Sequence, residues 1–223
     1  MDIERARFNM IEQQVRPWDV LDQDVLDLLM AVRRENYVPT AYRGLAFSDL
    51  DIPLNLDGLE TGETMFSPKV EARLLQALDV QHHESVIEVG AGSGFMAALL
   101  AHRARSVTSL ELNPELAGFA RSNLAANGVR NVNVVQRNGA ELIDDASVLV
   151  DVIILSGSVP LLPDALVNRL NPGGRLVAII GSAPVMSAEL VTLSAERRVS
   201  RVKLFETLAR PLVGFPVPDR FSF

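Results

Sequence analysis

The sequence predicts an α/β fold: a mostly parallel sheet with helices on both faces, an antiparallel C-terminal edge and an N-terminal helical cap. Three observations carry this. A buried-strand pattern at residues 86–89 runs into a turn with Gly90, Gly92 and Gly94, then into a helix pattern with Phe95, Met96, Leu99 and Leu100 on one side. From residue 85 onward, short apolar runs alternate with helical periodicity, the beat of strand–helix–strand units with right-handed crossovers. Two β-prone runs, 189–194 and 199–208, close the chain as an antiparallel pair joined by residues 195–198.

Taken in order, residues 1–18 are polar with anchors at Phe8, Met10, Ile11, Val15 and Trp18. Arg16-Pro17-Trp18-Asp19 reads as a break between two helices, because proline restricts the residue before it. Asp19 or Asp22 can cap a second helix, whose apolar face is Leu21, Val25, Leu28, Leu29 and Val32 and which stops near Asn36. Residues 40–67 lack periodicity and read as a packed binding loop with room for short strands. Ser67 then caps, and Pro68 opens, a helix with Val70, Leu74, Leu75 and Leu78 inward. Strands follow at 85–89, 106–111, 132–136, 149–155 and 175–180, and helices at 94–103, 114–127 and 161–169. Pro114 opens the second of these helices and Asn127-Gly128 closes it. Asn171-Pro-Gly-Gly174 is a turn. The organisation expected is a cap over 1–67 and a ligand-binding domain over 68–223.

Composition narrows the function. No run of eighteen apolar residues exists, so no membrane helix is expected. The net charge is -7 with arginines scattered among acids, which disfavours a nucleic-acid surface. Cysteine is absent, which removes thiol chemistry and fits a cytoplasmic protein. His82, His83 and His102 lack any zinc spacing, so no metal is expected. The sequence is silent on oligomeric state.

Ligands of open α/β sheets bind beyond the carboxyl ends of the strands. The turn from Gly90 through Ala91, Gly92 and Ser93 to Gly94 would cradle a ligand. Glu111 follows the second strand, about 20 residues beyond the first glycine, where a carboxylate takes both hydroxyls of a ribose. Asn138, followed by Gly139, offers a donor and an acceptor to an adenine edge. Ser156-Gly-Ser158 would flank the reacting group, and Glu88 would orient the glycine turn or the ligand's amino group. The Gly-x-Gly-x-Gly spacing departs from the dinucleotide fingerprint and leans to an adenosine with an amino-acid tail, S-adenosylmethionine, over a nicotinamide dinucleotide.

Val86-Ile-Glu-Val-Gly-Ala-Gly-Ser-Gly-Phe95 resembles the first motif of Rossmann-like methyltransferases. Together with Arg34-Glu-Asn-Tyr-Val-Pro39, Asp51-Ile-Pro-Leu54, Gly62-Glu-Thr-Met-Phe-Ser-Pro68, Asn171-Pro-Gly-Gly-Arg-Leu176 and the tail 201–211, the chain is similar to the protein-L-isoaspartate O-methyltransferase family. The resemblance implies methyl transfer from S-adenosyl-L-methionine to the α-carboxyl of L-isoaspartyl residues, a cytoplasmic repair reaction that needs no metal. It also implies a cofactor site at residues 88, 90–94, Glu111, Leu112, Asn138, Gly139 and Ser156, with Asn138 where the family commonly has aspartate. Thr64 and Ser67 would position the acceptor, with Glu63, Phe66 and Ser158 on the substrate side. Glu63 stands for the family's usual glutamine, Phe66 for a serine that contacts the substrate carboxylate, and Lys69 where histidine is common. A carboxylate and a phenyl ring suit a neutral or basic acceptor better than a bare anion. Three readings follow: isoaspartyl methyl transfer to a protein or peptide, methyl transfer to another protein or small molecule, and cofactor binding without catalysis.

Overall fold

The computed structural model describes residues 2–145 and 147–218. α1 (Ile3–Met10) starts on Asp2, whose carboxylate accepts from Arg5 N. It continues through one π-helical turn, Ile11–Val15, and a 3-10 turn, Arg16–Trp18. The expected break comes at Asp19, the left-handed residue that ends this run. Asp22 caps α2 (Gln23–Ala31), which stops short of Asn36 because Val32 turns extended. A separate 3-10 turn takes Arg34–Asn36.

The irregular stretch holds β1 (Ile52–Pro53) and β2 (Thr64–Met65), paired antiparallel. α3 (Pro68–Leu78) follows with Pro68 in its first turn. Ser67 occupies the capping position but its hydroxyl makes no capping bond, a correction to the sequence expectation.

The sheet then forms from β3 (Ser85–Val89), β4 (Ser106–Glu111), β5 (Val132–Gln136), β6 (Val150–Val159), β7 (Leu170–Ser182), β8 (Val185–Leu193) and β9 (Val199–Glu206). Between them lie α4 (Phe95–Arg103), α5 (Pro114–Ala126) and α6 (Asp164–Val167). The strand order is β5-β4-β3-β6-β7-β8-β9, parallel up to β7 and antiparallel beyond. Chain direction across the sheet reverses beside β3, so a switch point opens at the carboxyl ends of β3 and β6.

Three strands, β6, β7 and β8, are longer than the sequence suggests, β8 starting at Val185 rather than at residue 189. β6 takes in Ser156–Val159, because Ser158 and Val159 regain pairing with Ile179 and Ile180 after a register shift. Residues 155–157 oppose Ala178 alone, a surplus of two, and the bulge reads as loop because its Ser156 and Gly157 are weak strand formers. β7 begins at Leu170, and the expected 171–174 turn survives as surplus between the pairs Val150–Leu170 and Val152–Arg175. α6 is shorter than expected, since Pro163 precedes it and β7 starts three residues after its end.

Alternate residues of β6 point to opposite faces: Val152 and Ile154 to one, Ile153 and Leu155 to the other. The first face packs on α1 through α5 in a core running from Met10 to Ala188. The second is thinner and includes Leu142, Leu166 and Phe215. No helix among the described residues is long and apolar enough to cross a membrane.

Candidate active site

The switch point opens into a cavity of about 360 Å³, within the size range of small-molecule sites. Its floor is the turn after β3. Gly90 and Gly94 have φ of 94° and 82°, the left-handed region where a side chain is strained. A Cβ on Gly90 would also lie 3.3 Å from the Ser156 carbonyl oxygen, and one on Gly94 3.2 Å from that of Ala120. Gly90 N donates to Leu110 O at 2.8 Å, which ties the turn to the end of β4.

Glu111 ends β4 and faces the cavity. Its Oε2 accepts from Gly92 N at 2.9 Å and its Oε1 from Asn113 N at 3.0 Å. The carboxylate is thereby fixed in direction while keeping lone pairs for a diol. Asn138 lies beyond β5, where its Oδ1 accepts from Ala140 N at 3.0 Å and caps a 3-10 turn. A Cβ on the adjacent Gly139 would meet Val89 Cγ1 at 2.1 Å, so only glycine fits there.

The second wall is the loop around β2, with Leu54, Glu63, Thr64 and Phe66. Its backbone is held from beneath. Arg34, fully buried, donates to Phe66 O, Ala46 O and the Glu71 carboxylate. Asp51 accepts from Ser67 N at 2.8 Å. Burial pushes Glu71 up to about 7 against the pull of Arg34, and pushes Asp51 up as well.

The roof comes from a strap after β9 that the sequence left as a tail. Ser158 N donates to Arg210 O at 2.7 Å, and Leu212 N donates back to Ser158 O at 2.8 Å. Arg210, Pro211, Leu212, Val213 and Phe215 thus line the cavity. A Cβ on Gly157 would meet Leu212 at 2.8 Å, which is the one sequence trace of this close approach.

Of the residues expected on the cofactor side, Gly90, Gly92, Glu111, Leu112, Asn138, Gly139 and Ser156 line the cavity. Ala91, Ser93 and Gly94 lie behind it. Ala91 joins the core, Ser93 Oγ accepts from Phe95 N, and Gly94 packs on α5. Glu63, Thr64 and Phe66 reach the cavity, whereas Ser67 and Ser158 are buried outside it. The Ser158 hydroxyl donates to Ala209 O and is spent on the strap.

Glu88 is fully buried below the floor, accepting from the hydroxyls of Ser109 and Ser156. Burial pushes its carboxyl up to about 8 despite those two bonds. A folded value above the unfolded 4.5 means that the folded state holds the proton more tightly. The stabilisation is therefore complete below about 4.5 and lost as pH rises to about 8. Glu88→Gln is expected to flatten this loss in denaturation curves taken across that window. A variant with the wild-type slope would show that Glu88 does not carry it.

A family profile described as protein-L-isoaspartate(D-aspartate) O-methyltransferase matches residues 6–213. A protein-L-isoaspartate O-methyltransferase of Koribacter versatilis is 35% identical over 212 residues, covering 95% of this chain and 91% of that one. The enzyme of that name from Aeropyrum pernix is 36% identical over 213 residues, covering 94% and 80%. Among solved structures, a proposed protein-L-isoaspartate O-methyltransferase of Plasmodium falciparum, bound to S-adenosyl-L-homocysteine, superposes with a TM-score of 0.75. It is 19% identical and covers 95% of this chain and 98% of its own, a likeness of fold.

Proposed function

The chain belongs to the protein-L-isoaspartate(D-aspartate) O-methyltransferase family, and from that premise we propose that it methylates the free carboxylate of isoaspartyl residues in proteins or peptides. Its cofactor is S-adenosyl-L-methionine, which supplies an activated methyl group. The observation that carries the reading is one cavity that brings Glu111 and the Gly90–Gly92 turn together with the 63–66 loop.

The residues present fit this cofactor. Glu111 would take the ribose hydroxyls, Asn138 the adenine edge and the glycine turn the chain between them. Phe215 and Leu212 from the strap, with Leu54 opposite, give the cavity apolar sides that exclude water. A carboxylate acceptor is already a nucleophile at neutral pH, so the protein need not remove a proton from it. What the chain contributes is alignment and a dry site. Thr64 stands in the cavity wall with its backbone fixed by β1 and can position the acceptor. Ser67 acts one step removed, through the Asp51 bond that holds the loop.

Calorimetric titration with S-adenosylhomocysteine, with NAD as control, tests the cofactor half. Methyl transfer to an isoaspartyl peptide beside its aspartyl twin tests the acceptor half. Binding of the homocysteine compound alone and transfer to the isoaspartyl peptide alone are expected. No binding would overturn the methyltransferase reading. Binding without transfer would move the acceptor to another carboxylate or another group.

A further inference from the structure

Four charged side chains line the cavity: Glu63, Glu111, Arg137 and Arg210. Two are engaged with the protein. Glu111 is bonded to Gly92 and Asn113, and Arg137 pairs with Glu141 at 2.9 Å and Asp145 at 3.3 Å. The other two are bonded only through their backbones among the described residues: Glu63 by its N and O, Arg210 by its O. Both side chains are exposed at the cavity, one on each of two facing segments. They sense each other: burial and Glu111 push the Glu63 carboxyl up, and Arg210 pulls it down. An acid and a base left unpaired on one cavity form a receptor for a dipolar ligand.

The strap shows which end of the cavity this is. Gly214 lies against Asn138, the adenine end. Leu212 lies against Gly90 and Gly157. Arg210 lies farthest along, over β6, where its carbonyl takes Ser158 N. The order along the strap therefore runs from the adenosine to the methyl acceptor, and Arg210 is at the acceptor end. Ser67 is buried outside the cavity, which leaves Thr64 as the loop's one hydroxyl-bearing residue on the lining, a neutral group that can make a single contact. Among the described residues Arg210 is the lining cation without a side-chain partner, and its guanidinium can receive a carboxylate in a forked contact that the Thr64 hydroxyl cannot make.

We propose that Arg210 receives the acceptor's carboxylate and that Glu63 selects acceptors with a positive charge beside it, making isoaspartyl peptides with a neighbouring basic residue the preferred substrates. This rests on the isoaspartyl reading above. Arg210 holds the acceptor's carboxylate before and during the transfer alike, so its contact is uniform binding of substrate and transition state. Its loss should appear in KM and leave kcat nearly unchanged.

Isoaspartyl peptides differing only in one flanking residue, lysine or glutamate, test this. Each is titrated into the S-adenosylhomocysteine complex and also offered as methyl acceptor. The lysine peptide is expected to bind about tenfold tighter to the wild-type protein, and Glu63→Gln to close most of that gap. Arg210→Gln is expected to raise KM about tenfold for both peptides with kcat and S-adenosylhomocysteine affinity kept, and Arg210→Lys to recover part of it. Equal binding of the two peptides to the wild-type protein would overturn the selection by Glu63. Loss of S-adenosylhomocysteine affinity in Arg210→Gln would overturn the acceptor role and give the residue to the cofactor. Charge-ordered binding without methyl transfer would instead sink the isoaspartyl activity and leave the charge selection standing.

Discussion

Glu111→Ala should weaken S-adenosylhomocysteine binding by at least about 100-fold, because hydrogen bonds to a charged group are worth about 1.5–3 kcal/mol each and a ribose offers two. The carboxylate is held by Gly92 N and Asn113 N before any ligand arrives. That pre-orientation saves the ligand the ordering cost, so the loss falls on affinity. Glu111→Gln separates charge from shape. It keeps one acceptor oxygen and should lose less than the alanine variant. Calorimetry on the three proteins decides it, and an alanine variant that binds within about threefold of wild type would remove Glu111 from the ribose.

Arg34→Ala is expected to cost about 3–5 kcal/mol of stability, the usual penalty for stripping one partner from a buried ion pair. In a chain of this length that lowers Tm by roughly 6–20 °C. Arg34 lies 5.1 Å from the Phe95 ring centroid and makes bonds to Ala46, Phe66 and Glu71. Its removal leaves Glu71 buried without a counter-charge and frees the carbonyl of Phe66, whose ring lines the cavity. Arg34→Met with Glu71→Met should recover part of the stability, since an apolar pair carries no desolvation penalty. Acceptor KM should stay raised in that double variant, because the Phe66 carbonyl is still unheld. Urea melts of both proteins test the first claim, and a single alanine variant within about 1 kcal/mol of wild type would refute it.

That the turn after β3, Glu111 and Asn138 meet at one cavity was legible because the signals are local. A strand, three glycines and a helix lie within fifteen residues, and Glu111 and Asn138 follow their own strands directly. The strap was not legible. Its place over the site depends on one bridge between Ser158 and Pro211, and a single isolated pairing leaves no periodicity in either segment. Ser158 shows the cost. A serine after a strand reads as a ligand contact, yet here its backbone and hydroxyl are consumed by residues more than fifty positions away. Ser67 misled for a related reason: its type and place suit a cap, but Asp51 holds its N–H and burial hides its hydroxyl. The parallel strands of the sheet needed no such distant information. The apolar runs of β6 and β7 follow from burial on both faces.

The strap has a consequence for how the protein comes into being. The cavity wall spans residues from Leu54 to Phe215, so its two sides meet only after every strand has been laid down. A nascent chain still lacking the strap has a floor and one wall but no roof, and is expected to hold the cofactor more weakly. Ligand present at about 100 times its Kd adds about 2.7 kcal/mol to the finished state and almost nothing to the unfinished ones. The cofactor therefore acts as an inspector of assembly, rewarding the chain for having laid residues 210–215 across β6.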